Sequence, residues 1–333
     1  IVAVDTDEGV TGWGEMAPLG AFYADAFAEG ARAGIAVLAP HVVGADPAQP
    51  RRIVQLMDAA MRGQPYVKSA LDMACWDATA RLHGQPLCEA LGGRFGAAVD
   101  LYRSISPAPL DAVVERARAY VGDGYRRLQI KVGGDPAADA ARLAAVRDAV
   151  GPGIVLFADA NGGWTTAAAR RFMRATEAID HTLEQPCATL EECALVRPHC
   201  DHPLVLDESI VSLPELVRAR REAGADGVTI KLARVGGVTR AAALRDVAVE
   251  LGMTVTVEDT GGATIDTAAM LHLSHSTPEP NRAHTVDFTD WVTIANADGL
   301  PEPEGGRRAA PAAPGLGVTV RVEALGEPFF RTS

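Results

Sequence analysis

Six short apolar runs in this chain each end on a charged residue, at nearly constant spacing. By subtraction of residue numbers, Lys131, Asp159, Glu184, Asp207, Lys231 and Glu258 stand 28, 25, 23, 24 and 27 residues apart. The runs read LQIKV, IVLFADA, HTLEQP, LVLDES, VTIKLA and TVTVEDT, and each is trailed by a stretch of helical length. Leu244, Val247, Ala248 and Leu251 show the helical pattern, falling on one face at i, i+3, i+4 and i+7. VDLYRSI before the six and a weaker AHTVDF after them raise the count to eight. Strand–helix units repeated in this way form either an open doubly wound sheet or a closed parallel barrel. The barrel is the expectation, because the first turn, SISPAP, is no Gly-rich phosphate turn.

The two ends of the chain do not follow this rhythm. Residues 1–97 read as a hairpin, AVDTDEGVTGWGE, followed by three consecutive helices. Residues 98–288 carry the alternation, and 289–333 hold a Pro/Gly connector, RRAAPAAPGLG, and a last strand. The expected fold is therefore α/β, a barrel capped by an α+β domain built from both chain ends. The chain opens inside a strand pattern without methionine, so a preceding segment is expected.

Bulk properties narrow the function. A net charge of -12 without long runs of like charge argues against a nucleic-acid partner. No apolar stretch is long enough to span a membrane. Five scattered cysteines without a C-x-x-C pair predict reduced thiols and a cytoplasmic location. Cys193 and Cys200 lie near His199 and His202, but their spacing suits no tetrahedral zinc site.

Strand alternation sorts the tips by face. Gln129 and Lys131 share one face of their strand, opposite Leu128, Ile130 and Val132. The same choice turns Asp159, Glu184, Asp207 and Lys231 inward, at the C-terminal rim where barrel enzymes keep their chemistry. Any one acid alone reads as a helix cap or an arginine partner. Three on successive strands need a compensating charge, and all-oxygen ligands suit Mg²⁺ before Mn²⁺. One lysine precedes the trio and one follows it. Near a metal and partly desolvated, each could have its pKa drawn down towards that of a general base. The Gly-Gly after each lysine could make a tight turn or present N–H groups to an anion.

In order along the chain, GWGE, SALDMACWD, IKVGG, DAN, EQP, DES, IKLARVGGVT and PGLG resemble the enolase superfamily, muconate-lactonizing-enzyme subgroup, over essentially the whole length. The resemblance implies a (β/α)7β TIM-like barrel under a capping domain. It also implies Mg²⁺ on Asp159, Glu184 and Asp207, and Lys131 and Lys231 as acid/base pair. The implied reaction is abstraction of the proton α to a carboxylate through an enediolate, ending in racemisation, epimerisation or β-elimination. A small-molecule carboxylate substrate and a homo-oligomer are implied too. GQPYVKSALD, LEQPCATLEEC and VEDTGGATIDTAAMLHLSHSTP look closest to enzymes acting on proline derivatives. Two positions depart from the pattern: Gln129 stands where the subgroup often has lysine, and Gly261 where these relatives tend to have tryptophan, which predicts a roomier or differently shaped pocket. Asn161, Glu208 and Gln129 are expected to orient the ligands. Tyr23, Tyr66 and Lys68 are expected as substrate contacts from the lid, and Glu258 and Asp259 as partners for a substrate ammonium. His272 and His275 read as structural.

Other outcomes of the same first step are a muconate-type cycloisomerase or an epimerase of dipeptides or N-acyl amino acids. From another class, a strand-six lysine could form a Schiff base in an aldolase, which borohydride would trap, although three carboxylates would repel a phosphorylated substrate. A non-catalytic binding protein leaves the inward lysines without a purpose.

Overall fold

The computed structural model describes residues 1–333. A hairpin of β1 (Val2–Asp5) and β2 (Thr11–Gly14) opens the chain. It lies on three helices, α1 (Ala28–Leu38), α2 (Pro50–Ala60) and α3 (Pro65–Leu82). The glycines of GWGE are there because the hairpin touches the backbone of α3. A Cβ at Gly12 would stand 2.1 Å from the Ala74 carbonyl oxygen, and one at Gly14 would stand 2.0 Å from that of Ala70. Gly14→Ala is accordingly expected to destabilise the protein by about 3 kcal/mol, at the upper end of overpacking costs, as read by urea unfolding.

After the short α4 (Leu87–Ala90), VDLYRSI divides in two. β3 (Val99–Asp100) pairs antiparallel with Arg307–Arg308, and β4 (Arg103–Ile105) enters the barrel. The expected single strand is broken because its first residues pair with the returning C-terminal segment. Then follow α5 (Leu110–Gly122), β5 (Arg127–Lys131), α6 (Pro136–Val150), β6 (Val155–Asp159), α7 (Thr166–Ala175), β7 (Thr182–Glu184), α8 (Leu190–Val196), β8 (Leu204–Leu206), α9 (Leu213–Arg221), β9 (Gly227–Lys231), α10 (Leu232–Val235), α11 (Val238–Glu250), β10 (Thr254–Glu258), α12 (Thr264–His275) and β11 (Arg282–Thr285). β4 to β11 form one parallel eight-stranded sheet in sequence order. Its edges meet at one bridge, Leu101 to Thr285, with the Tyr102 N–H donating to the Thr285 carbonyl at 3.2 Å. Leu128 and Ile130 are fully buried on the outer, helix-facing side, as the alternation requires.

Buried acids of the N-terminal region cap barrel helices. Asp72 on α3 accepts from the Thr239 N–H at 2.8 Å and its hydroxyl at 2.6 Å, fixing the start of α11 just beyond Lys231. Glu15 accepts from the Ala263 and Asp266 N–H groups, each at 2.9 Å, at the start of α12. Asp77 accepts from the N–H groups of Trp13 and Leu316, tying the hairpin and the C-terminal segment to α3.

His272 takes the structural place expected of it. Its Nδ1 accepts from the Cys88 N–H at 3.1 Å, and its Nε2 donates to the Leu316 carbonyl at 3.1 Å. Burial, against the smaller opposing pull of that carbonyl, lowers the imidazole to about 3. The unfolded chain thus binds a proton that the folded one refuses. Stability should fall as pH drops below about 6.5 and go on falling to about pH 3, by up to about 1.4 kcal/mol per unit from this residue. Urea midpoints at pH 7 and pH 5 would check this, with a smaller difference in His272→Gln. No helix of the chain is long and apolar enough to cross a membrane, and all five cysteines are buried free thiols.

Candidate active site

The C-terminal rim gathers the residues that the spacing singled out. Strand register places Lys131 beside Asp159, Asp159 beside Glu184, and Lys231 beside Glu258. Asp207 follows the last residue of β8. Asp159, Glu184, Asp207 and Lys231 are buried, whereas the Lys131 side chain is 28% exposed.

Each carboxylate meets a donor from the chain itself. Lys131 Nζ donates to Asp159 Oδ2, and to Asn161 Oδ1 at 3.0 Å. Glu184 accepts from Gln129 Nε2 at 3.0 Å and Thr229 Oγ1 at 2.8 Å. Asp207 accepts from Lys231 Nζ at 2.7 Å and Arg234 Nη1 at 2.6 Å. Lys231 also lies 3.5 Å from Glu258. With the side chains so engaged, no three acids converge in a metal-binding group.

The donor set nevertheless suits a hard divalent cation. The carboxylates are buried, all-oxygen and adjacent. Burial, reinforced by the Asp159, Glu258 and Asp207 charges, pushes Glu184 well above its ordinary value. The Glu258 Oε1 and Glu208 Oε2 atoms are buried without partners. The lysines serve as counter-charges to these carboxylates. Burial would lower Lys231, but Asp207 and Glu258 outweigh it and hold the ammonium well above the usual lysine value. Lys131 is raised likewise, with Asp159 and Glu184 outweighing burial.

The Gln129 amide serves Glu184 rather than the Lys131 ammonium. Asn161 Nδ2 donates to Glu208 Oε1 at 2.9 Å. Asn161 and Gln185 both hold left-handed backbone, with φ of 44° and 33°, right beside candidate ligands, which is where strain tends to gather. From the lid, the Tyr23 hydroxyl accepts from Lys231 at 2.6 Å and donates to Glu208 at 3.1 Å. A cleft of about 500 Å³ is lined by Tyr23, Asp58, Tyr66, Lys68, Glu208 and Arg234 among others. A hollow of about 650 Å³ beside Trp76, Leu91 and Arg245 contains none of the rim groups.

Two expected substrate contacts also have partners within the chain. The Lys68 ammonium pairs with Asp58 at 2.8 Å. Asp259 accepts from the N–H groups of Ala233 at 2.9 Å and Thr260 at 2.7 Å, so it caps α10. The Gly-Gly segments are turns and not anion cradles. Gly133 and Gly134 donate to Asp139 at 3.0 and 2.8 Å, and the Gly237 N–H returns to the Leu232 carbonyl. Arg234 escaped the sequence reading. Its signal was a lone charge in the buried run KLARVGG, three residues past Lys231. Gln185 escaped it too; its side-chain carbonyl accepts from the Asp207 N–H at 2.9 Å.

Known proteins resemble the chain throughout. Residues 1–92 match the mandelate racemase / muconate lactonizing enzyme N-terminal domain, and residues 112–324 match the enolase C-terminal domain-like family. The chain is 41% identical over its full length to a cis-3-hydroxy-L-proline dehydratase of Roseibium aggregatum, covering 91% of that protein. It is 29% identical to an N-succinyl-L-Arg/Lys racemase of Bacillus cereus, over 83% of this chain and 76% of that one. The crystal structure of an enolase superfamily member from Roseovarius nubinhibens, complexed with magnesium, superposes with a TM-score of 0.94 at 40% identity, covering 98% of this chain and 90% of that one.

Proposed function

Because the chain belongs to the mandelate racemase / muconate lactonizing enzyme family of the enolase superfamily and is an isomerase or lyase of that kind, we propose that it removes the proton α to the carboxylate of a small, proline-like amino acid. In this reading Lys131 and Lys231 are the opposed acid and base, and Asp159, Glu184 and Asp207 hold Mg²⁺, with Mn²⁺ as a substitute. The observation that carries it is the placement of one lysine on β5, before the three carboxylate strands, and the other on β9, after them.

When bound, the cation would supply positive charge opposite the substrate carboxylate, where negative charge grows as the proton leaves. The chain supplies the rest. Thr229 and Gln129 fix both oxygens of Glu184, and Arg234 fixes Asp207. One lysine takes the proton from one face of the substrate, and the other stands ready on the opposite face. The lid excludes water above them. Full-length likeness to a hydroxyproline dehydratase favours loss of a β-hydroxyl after proton removal. The presence of two lysines rather than one favours a second reading, return of the proton on the other face to give an epimer.

The test is ¹H NMR in D₂O with Mg²⁺ over proline, its betaine, cis-3-hydroxy-L-proline, N-acyl amino acids and dipeptides. Loss of an α-proton signal that depends on Mg²⁺ and on Lys131 supports the reading, and departure of the β-hydroxyl selects the dehydratase. Exchange that persists in EDTA, or that runs at the wild-type rate in both Lys131→Ala and Lys231→Ala, would sink it.

A further inference from the structure

Four hydrogen bonds run from one rim lysine to the other. Lys231 Nζ donates to the Tyr23 hydroxyl at 2.6 Å, and that hydroxyl donates to Glu208 Oε1 at 3.1 Å. The same Glu208 oxygen accepts from Asn161 Nδ2 at 2.9 Å, and Asn161 Oδ1 accepts from Lys131 Nζ at 3.0 Å. Tyr23 is the only link in this path that comes from the lid. Arg234 Nη2 also donates to its hydroxyl at 3.1 Å, so both acceptor positions and the one donor are used.

The lid segment bearing Tyr23 also meets the barrel at Ala17. Thr260 Oγ1 donates to the Ala17 carbonyl at 3.1 Å, and a Cβ added at Gly261 would stand 3.1 Å from that same oxygen. Lid backbone thus approaches Gly261 closely, and a larger side chain at this position would have to push the Ala17 carbonyl aside.

We propose that Tyr23 is a positioning residue: seated by lid contact at Gly261, its hydroxyl completes a hydrogen-bonded path that holds Lys231 and Lys131 in register through Glu208 and Asn161. This rests on the assignment of the two lysines as acid and base. The path aims both ammonium groups at the same enclosed substrate, and it exists only with the lid down. Asn161 contributes fixed geometry to it, since its amide oxygen accepts from Lys131 while its amide nitrogen donates to Glu208.

Tyr23→Phe keeps the ring and removes the link. The expected result is a fall in kcat of about 10- to 100-fold with KM changed by no more than about twofold. In Mg²⁺-loaded enzyme, α-proton exchange should slow on both faces of the substrate, including the face served by Lys131, which Tyr23 does not touch. Gly261→Trp should reproduce that loss and speed backbone hydrogen exchange at Tyr23 and Ala24, whose N–H groups bond to the Gly20 carbonyl. Wild-type exchange in Tyr23→Phe, or slowing on the Lys231 face alone, would overturn the proposal. So would unchanged lid protection in Gly261→Trp. If Lys131→Ala and Lys231→Ala both exchange at the wild-type rate, the lysine assignment itself fails, a result distinct from any of these.

Discussion

Lys231→Ala is expected to cut α-proton exchange by about 10²–10⁴-fold, the usual range for loss of a positioned acid or base. The variant should still fold, because Arg234 continues to neutralise Asp207 at 2.6 Å. The loss should be stereospecific. Each lysine addresses one face, so Lys231→Ala should silence one enantiomer of a substrate pair and Lys131→Ala the other. Time courses of α-proton loss for the two enantiomers, recorded with both variants, would measure this directly. Equal slowing of both enantiomers by one variant would mean that the lysines do not act on opposite faces.

Asp207→Asn should produce the second large effect, on metal response as well as on rate. A ligand present at 100 times its Kd stabilises the folded state by about 2.7 kcal/mol. Wild-type protein should therefore melt several degrees higher in saturating Mg²⁺ than in EDTA, and Asp207→Asn should lose most of that difference. Differential scanning calorimetry at matched ionic strength reads it. The side chain is nearly isosteric, but the substitution removes the negative charge facing Lys231 and Arg234. Baseline stability in EDTA should also fall, because two cations then share a buried site with less compensation. A full Mg²⁺ shift in the variant would place the cation elsewhere.

The parts of this site that could be read from sequence are those fixed by strand geometry. Alternation along five-residue strands decides which way Lys131 and Lys231 point, and a constant period places them on one rim. The same argument puts Asp159, Glu184 and Asp207 on that rim, although their side chains do not converge on one point. Contacts between distant segments could not be read this way. The bond from Lys231 to Tyr23 spans 208 residues, and no local pattern sets it. Lys68 looked like a substrate contact because nothing in GQPYVK reveals that Asp58, one helix earlier, faces it. Gly261 looked like an opening because the approach of Ala17 is a property of the lid and not of the glycine. VDLYRSI read as one strand because its alternation is unbroken, whereas the break is imposed by Arg307 and Arg308 from the far end of the chain.

The seam between Leu101 and Thr285 has a consequence for biosynthesis. Every other strand pair in the barrel joins neighbours in sequence and can form as soon as both have left the ribosome. The seam alone joins segments far apart in sequence, and like the β10–β11 pair it must wait for residue 285. Until then the nascent sheet presents two unpaired edges, the feature that invites association with other chains. The C-terminal segment then reaches across the joint: Arg308 pairs with the buried Asp287 just past β11, and its strand pairs with β3 just before β4. Residues 307–308, which emerge after every barrel strand, thus act as a clasp across the joint.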